Sequence, residues 1–134
     1  MTRLQTKSIK TDQKINAIIR RLGLTPKLNS YYCLQEAVKI TLDQGQFFPY
    51  NQVYPQVYDK CHSKFRTKIH GKNLAEINKE KYLIAYSEIK NAVDQIWCNP
   101  DNKDLLNQIF VNTDYYPGNA IFIEAVARYV CYMD

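Results

Sequence analysis

Glycine is scarce in this chain, with four in 134 residues. They are too scattered for a phosphate-cradling loop, which needs several close together. Histidine is scarcer: only His62 and His70 are present, so a histidine-based metal or acid–base site has little to draw on. The cysteines, Cys33, Cys61, Cys98 and Cys131, form no CxxC pair, and only Cys61 has an adjacent histidine, too close in sequence to make a tetrahedral metal site. They read as free thiols on helix faces in a reducing compartment. No nucleophile-and-base pairing and no carboxylate cluster emerges at helical spacing, so an enzyme is not expected and no catalytic residue, cofactor or metal is assigned. No apolar run approaches the roughly 18 residues of a membrane span, and the opening MTRLQTKSIKTDQK lacks a secretory signal's apolar segment. A cytoplasmic protein without a membrane partner is expected.

What is present suits one domain. Hydrophobic residues make up 46% and charged residues 23%, enough apolar content for a core and an ordinary surface. The net charge of +5 is unevenly placed. Residues 1–30 and 59–90 are strongly basic, whereas residues 91–134 are acidic. Such segregation suits a protein that presents one side to a polyanion, although it also occurs in proteins that bind nothing charged.

No segment alternates as a strand, and the apolar spacing is helical. Residues 1–10, with Arg3, Lys7 and Lys10, read as a flexible basic arm. A helix from Thr11 or Asp12 carries Ile15, Ile18, Ile19 and Leu22 and stops at Gly23. A second, capped at Asn29 or Ser30, runs to about Leu42 with Tyr31, Leu34, Ala37, Val38 and Thr41 inward. Gln46 to Gln52 reads as an apolar loop, and Pro55 as the first turn of a helix reaching about Phe65. Residues 62–81 form a basic stretch that pattern alone leaves open as a long turn, a hairpin or an extra helix. Asn99 and Pro100 signal a helix through Phe110, and Pro117, Gly118 and Asn119 precede a last helix with Phe122, Ile123, Val126, Ala127 and Val130. The expectation is all-α: about six helices in a compact bundle.

Tyr82 to Trp97, YLIAYSEIKNAVDQIW, is the informative helix. At about 100° per residue, Ala85, Ile89, Ala92, Val93 and Ile96 share one side, and Ser87, Lys90, Asn91 and Asp94 the other. Asn and Lys on an outward face are residue types that reach base edges in a DNA major groove. An ordinary amphipathic helix with a solvated face has the same pattern.

The runs INAIIRRLGLTPKLNSYYCLQEAVKITL, VYPQVYDKC, IKNAVDQIW and PGNAIFIEAVARYV, in this order, resemble the C-terminal DNA-binding effector domain of the sporulation stage-zero response regulator, the transcription factor that commits endospore-forming bacteria to sporulation. The resemblance covers most of residues 14–130. It implies a six-helix domain containing a helix-turn-helix-like pair, with Pro55 to about Phe65 positioning and Tyr82 to Trp97 reading double-stranded DNA. Aligned on Ile89, Ala92 and Trp97, the family's contacting positions fall on Tyr86, Ser87, Lys90 and Asn91. The family is basic where this chain has Ser87 and Lys90, acidic at Tyr86 and histidine at Asn91, so a different target sequence is implied. Its last helix makes dimer contacts on DNA, which implies a homodimer through Tyr129, Val130, Tyr132 and Met133. Packing of Val130 in the domain's own core is an equal alternative.

Two departures stand out. Between His62 and Lys81 this chain has roughly 15 to 17 residues more than the family's short turn. An insertion of that length costs little closure entropy. It either contacts phosphate as a basic flap or covers the reading surface. No receiver domain precedes the resembling part within these 134 residues; if they are the whole protein, control by aspartyl phosphorylation is not expected. The favoured expectation is a DNA-binding transcriptional regulator, with Lys64, Arg66, Lys68, Lys72 and Lys81 on phosphates, joined by the arm. The alternative is an interaction module of the same fold that antagonises a related regulator, for which the 11 tyrosines supply adhesive surface.

Overall fold

In a computed structural model, which describes residues 3–44, 50–65 and 68–132, the chain is an all-α bundle. The helices are α1 (Arg3–Arg21), α2 (Asn29–Gln44), α3 (Tyr50–Cys61), α4 (Leu74–Cys98), α5 (Lys103–Ile109) and α6 (Gly118–Tyr132), with 3-10 turns at His62–Lys64 and Pro100–Asn102. The expected fold class therefore holds, and no strand occurs among the described residues.

The first helix starts at Arg3 rather than near Thr11. Residues 3–10 contain neither glycine nor proline and are rich in straight-chain side chains that tolerate a helix, so nothing local stops it. Its end is as read. Gly23 takes φ +92°, a backbone region that other residues enter only at a cost. This lets the Gly23 amide donate to the Arg20 carbonyl (2.9 Å) and the Leu24 amide to the Ile19 carbonyl (3.3 Å). That pair of bonds satisfies carbonyls the helix end leaves open, and buried Leu24 closes the turn against the core.

Helix α2 lies at the centre, packed against α1, α3, α4 and α6. Its expected inward stripe is buried throughout, and the Thr41 hydroxyl, the polar member, donates to the Ala37 carbonyl at 2.8 Å. Helix α3 begins at Tyr50, so Pro55 sits inside it and not in its first turn. The missing amide removes one i→i−4 bond, but burial of Val53, Tyr54 and Val57 around it holds the segment helical. Of the expected loop from Gln46 to Gln52, residues 46–49 lie outside the described residues and the remainder is helix. The thiols of Cys33 on α2 and Cys61 on α3 are both buried. A hydrogen bond to the Cys61 sulfur, together with burial, pushes the Cys33 thiol well above its ordinary range, so it is inert as a nucleophile.

The helix expected from Asn99 to Phe110 is divided into a 3-10 turn and α5. Asn99 caps the turn by accepting from the Asp101 amide at 3.0 Å, and Pro100 occupies its first position. Buried Asn102 explains the division: its side-chain amide donates to the Leu22 carbonyl (2.8 Å) and the Ile96 carbonyl (2.9 Å). One side chain thus closes the C-terminal ends of α1 and α4. All six helices contribute to one core, in which Ile15, Ile18, Leu34, Ile89, Ile96 and Phe122 are fully enclosed. No described helix is long and apolar enough to cross a membrane.

Candidate nucleic-acid interface

Helix α4 packs against α2, α3 and α6. Ala85, Ile89, Ala92, Val93 and Ile96 are all 0% exposed. Burying each isoleucine stabilises the fold by about 1.5–3 kcal/mol, and this sets which side of the helix faces water. Ser87, Lys90 and Asn91 are exposed on that outer side, so the described residues leave it open. Tyr86 is 37% exposed, and its ring is partly committed. It lies parallel to Tyr82, with centroids 6.0 Å apart, and Tyr54 of α3 meets both rings edge-on. Asn119, buried at the start of α6, donates to the Tyr86 carbonyl at 3.2 Å and fixes that turn of α4 from the far side. Burial pushes the Tyr54 hydroxyl up to about 12, so it stays protonated at neutral pH.

Lys90 is not a free cation. Its ammonium donates to Asp94 Oδ2 at 2.9 Å, and the hydroxyl of Tyr116 donates to Asp94 Oδ1. These two donors, Tyr116 first, lower the Asp94 carboxyl below its ordinary value. The same carboxylate raises Lys90. Burial and the Asp94 bond raise Tyr116. The Tyr116 ring also meets Trp97 edge-on, with centroids 6.2 Å apart, which ties the segment before α6 to the outer side of α4. Asp94 was visible in the sequence as the i+4 partner of Lys90. Tyr116 had no such signal, being 22 residues from its partner.

The described part of residues 62–81, that is 62–65 and 68–81, comprises a 3-10 turn, an irregular hook and the first turns of α4, which therefore starts at Leu74, not Tyr82. Both described ends of the hook are pinned. At its start, Phe65 stacks on Tyr58 with centroids 5.1 Å apart, the Lys64 ammonium lies 3.9 Å from the centre of the Tyr32 ring, and Asn29 donates to the Lys64 carbonyl at 2.7 Å. At its end, Glu80 accepts the amides of His70 and Gly71 at 2.9 Å each, Glu76 accepts that of Lys72 at 2.8 Å, and Asn73 caps α4 by accepting from the Glu76 amide at 2.9 Å. A Cβ on Gly71 would stand 2.7 Å from the Ile77 nitrogen, so only glycine permits this approach.

At about 100° per residue, Glu76 and Glu80 share the side of α4 that continues through Ser87, Asn91 and Asp94. The described residues of the hook thus form a ledge at the N-terminal end of this face, and among the described residues Ser87, Lys90 and Asn91 stay exposed beside it. Lys68 and Lys72 are exposed on the ledge. Lys81 is differently placed: it bonds Asp59 at 2.8 Å, lies 5.7 Å from the centre of the Tyr58 ring, and its side chain is 24% exposed. Arg66 lies outside the described residues, as do the side chains of Arg3 and Lys7, while Lys10 is exposed on α1. Lys79, a member of the basic stretch that was not among the expected phosphate contacts, is exposed in the N-terminal extension of α4. Among the described residues no three His, Cys, Asp or Glu side chains gather where one metal ion could meet them.

A second exposed feature lies on the opposite end of the chain. Val111, Ile121 and Tyr132 are 109%, 58% and 81% exposed, beside a shallow groove of about 290 Å³ between the end of α5 and α6. Val130, weighed as a dimer contact, is buried in the core. Tyr129 is half-buried, its hydroxyl donating to Gln108 at 3.1 Å, and Met133 lies outside the described residues. Comparison with protein-family models, curated proteins and solved structures finds no match to this chain.

Proposed function

We propose that the chain binds double-stranded DNA and regulates transcription, reading base edges with the open face of α4. The observation that carries this is the exposure of Ser87, Lys90 and Asn91 on successive turns of a helix whose other side is anchored in the core. Tyr86 flanks them, and the exposed Lys68 and Lys72 are the cations assigned to a DNA strand bordering the groove. In this role Lys and Asn specify bases, whereas the ledge lysines hold phosphates without sequence preference. Lys64 and Lys81 reach phosphate only by leaving Tyr32 and Asp59 respectively, so they contribute less than Lys68 and Lys72. The resemblance to the sporulation regulator's effector domain supports the same role, exercised in the cytoplasm.

A two-fold partner is part of this proposal. Ile121 and Tyr132 on the outer side of α6 offer a second copy apolar surface, with Glu124 and Arg128 supplying one charge of each sign.

The test is enrichment of bound sequences from a random duplex library, followed by a salt titration. The proposal expects a motif and an affinity that falls by a log–log slope of about 0.9 per phosphate contacted. No motif and no binding at low salt would rule it out. The exposed Val111, Ile121 and Tyr132 favour a second reading, an interaction module that antagonises a related regulator. Under that reading Ile121→Lys abolishes partner binding, whereas Lys68→Ala and Lys72→Ala leave it unchanged.

A further inference from the structure

Resting on the DNA-binding reading, we infer that Lys90 and Asp94 act as one unit that recognises a single G·C pair, with Tyr116 as the positioning residue for the carboxylate. An acid on a DNA-facing helix is repelled by phosphates unless a base donor meets it, so its presence on the open face requires an account. Counting hydrogen-bonding capacity supplies one. The Lys90 ammonium has three donors and gives one to Asp94 Oδ2. The Asp94 carboxylate has about four acceptor positions, of which Tyr116 and Lys90 use one each. Two donors and further acceptor positions therefore remain side by side, directed away from the bundle by side chains that are 50% and 41% exposed.

In the major groove a G·C pair presents two acceptors on guanine, N7 and O6, followed by the cytosine N4 donor. The donor, donor, acceptor order of the Lys90–Asp94 unit complements it. An A·T pair presents acceptor, donor, acceptor and then a methyl group, which does not. The spacing agrees as well. Guanine O6 and cytosine N4 are hydrogen-bonded to each other and so lie about 2.9 Å apart. The Lys90 ammonium and Asp94 Oδ2 are 2.9 Å apart. The ammonium can thus donate to O6 while N4 donates to the carboxylate, and neither bond requires the Lys90–Asp94 pair to separate. Tyr116 holds the other carboxylate oxygen from outside α4, which stops the carboxylate turning to follow the ammonium alone.

The experiment is motif selection from a random duplex library with the wild-type chain and with Lys90→Ala, Asp94→Ala, Tyr116→Phe and Asn91→Ala, each checked for an unchanged urea midpoint or corrected for its shift. The expected result is one G·C position at which Lys90→Ala and Asp94→Ala both lose a preference on the order of tenfold. Tyr116→Phe weakens preference at that same position, and Asn91→Ala alters another. Three results overturn the inference while leaving DNA reading intact: an unchanged motif with uniformly tighter binding in Asp94→Ala, an A·T pair at the shared position, or different positions for Lys90 and Asp94. Absence of any wild-type motif overturns the DNA-binding reading itself, and this inference with it.

Discussion

The two ends of α4 are held by different forces. From Ala85 to Ile96 the helix buries its inner side completely in the core. From Leu74 to Tyr82 no residue is fully buried, and Leu74 is 73% exposed. That end is held by the Asn73 cap and by Glu76 and Glu80 gathering the hook amides. One continuous helix therefore joins an apolar anchor to a polar clasp. Apolar burial is tied to global unfolding, whereas a solvent-exposed clasp opens locally at a lower free energy. The residues proposed to read DNA lie where the two regimes meet, on the rigid side of the boundary, which is where a reading group loses least entropy on binding.

The largest expected effect tests the anchor. Ile89→Ala removes a side chain that is 0% exposed and should cost about 2–5 kcal/mol in urea unfolding. Leu74→Ala, at the other end of the same helix and 73% exposed, should stay within about 0.5 kcal/mol. Equal costs for the two would erase the distinction between the ends of α4.

The clasp should respond less, and locally. Gly71→Ala forces a Cβ into the Ile77 nitrogen, and overpacking of this kind costs about 1–3 kcal/mol. Hydrogen exchange should quicken at the amides of residues 70–80 while those of residues 89–96 keep their protection relative to global stability. Asn73→Ala, which removes only the cap, should cost about 1 kcal/mol and quicken the same amides less. Uniform loss of protection along α4 in either variant would mean that the hook is part of the global cooperative unit.

Much of the anchor was legible in the sequence, and little of the clasp. The apolar stripes of α1, α2, α4 and α6 repeat at helical spacing, and their members are the buried residues. Gly23 and the Asn99–Pro100 pair announced their own ends because each signal lies within a few residues of its effect. The hook is also local, but its signal is a pattern of carboxylates accepting backbone amides, which composition reads as ordinary charge among lysines. Pro55 was misplaced because a proline suits a first turn by propensity, and only tertiary burial of Val53 and Val57 carries the helix through it. Asn102 and Tyr116 act across the fold, 80 and 22 residues from their partners. Neither bridge has a periodic trace. For the reading face, outward exposure followed from periodicity, whereas the commitment of Lys90 to an oriented acid did not.

The smallest effect concerns that commitment. In the folded chain Tyr116 and Lys90 hold the Asp94 carboxyl below its ordinary value of 3.8. A carboxyl lowered on folding contributes stability that is present above its unfolded value and is lost as pH falls through the lowered one. Lys90, raised in the same pair, contributes below its ordinary value of 10.5 and loses that contribution only as pH rises through the raised one. Between about pH 5 and 9 both groups are charged and the pair is intact. Asp94→Asn should therefore lower the urea midpoint slightly at pH 7, and the difference from wild type should shrink as pH falls below 3.8 and through the lowered Asp94 value. The effect is small because both side chains are substantially exposed and water screens such pairs. Lysine preceding its acid by one turn is also the weaker orientation for a helical pair. Tyr116→Phe at pH 7 separates the two donors. If the hydroxyl is the stronger donor to the Asp94 carboxylate, Tyr116→Phe moves the midpoint more than Lys90→Met does. The reverse order would make the ion pair the main constraint on Asp94, and the carboxylate would then follow the ammonium.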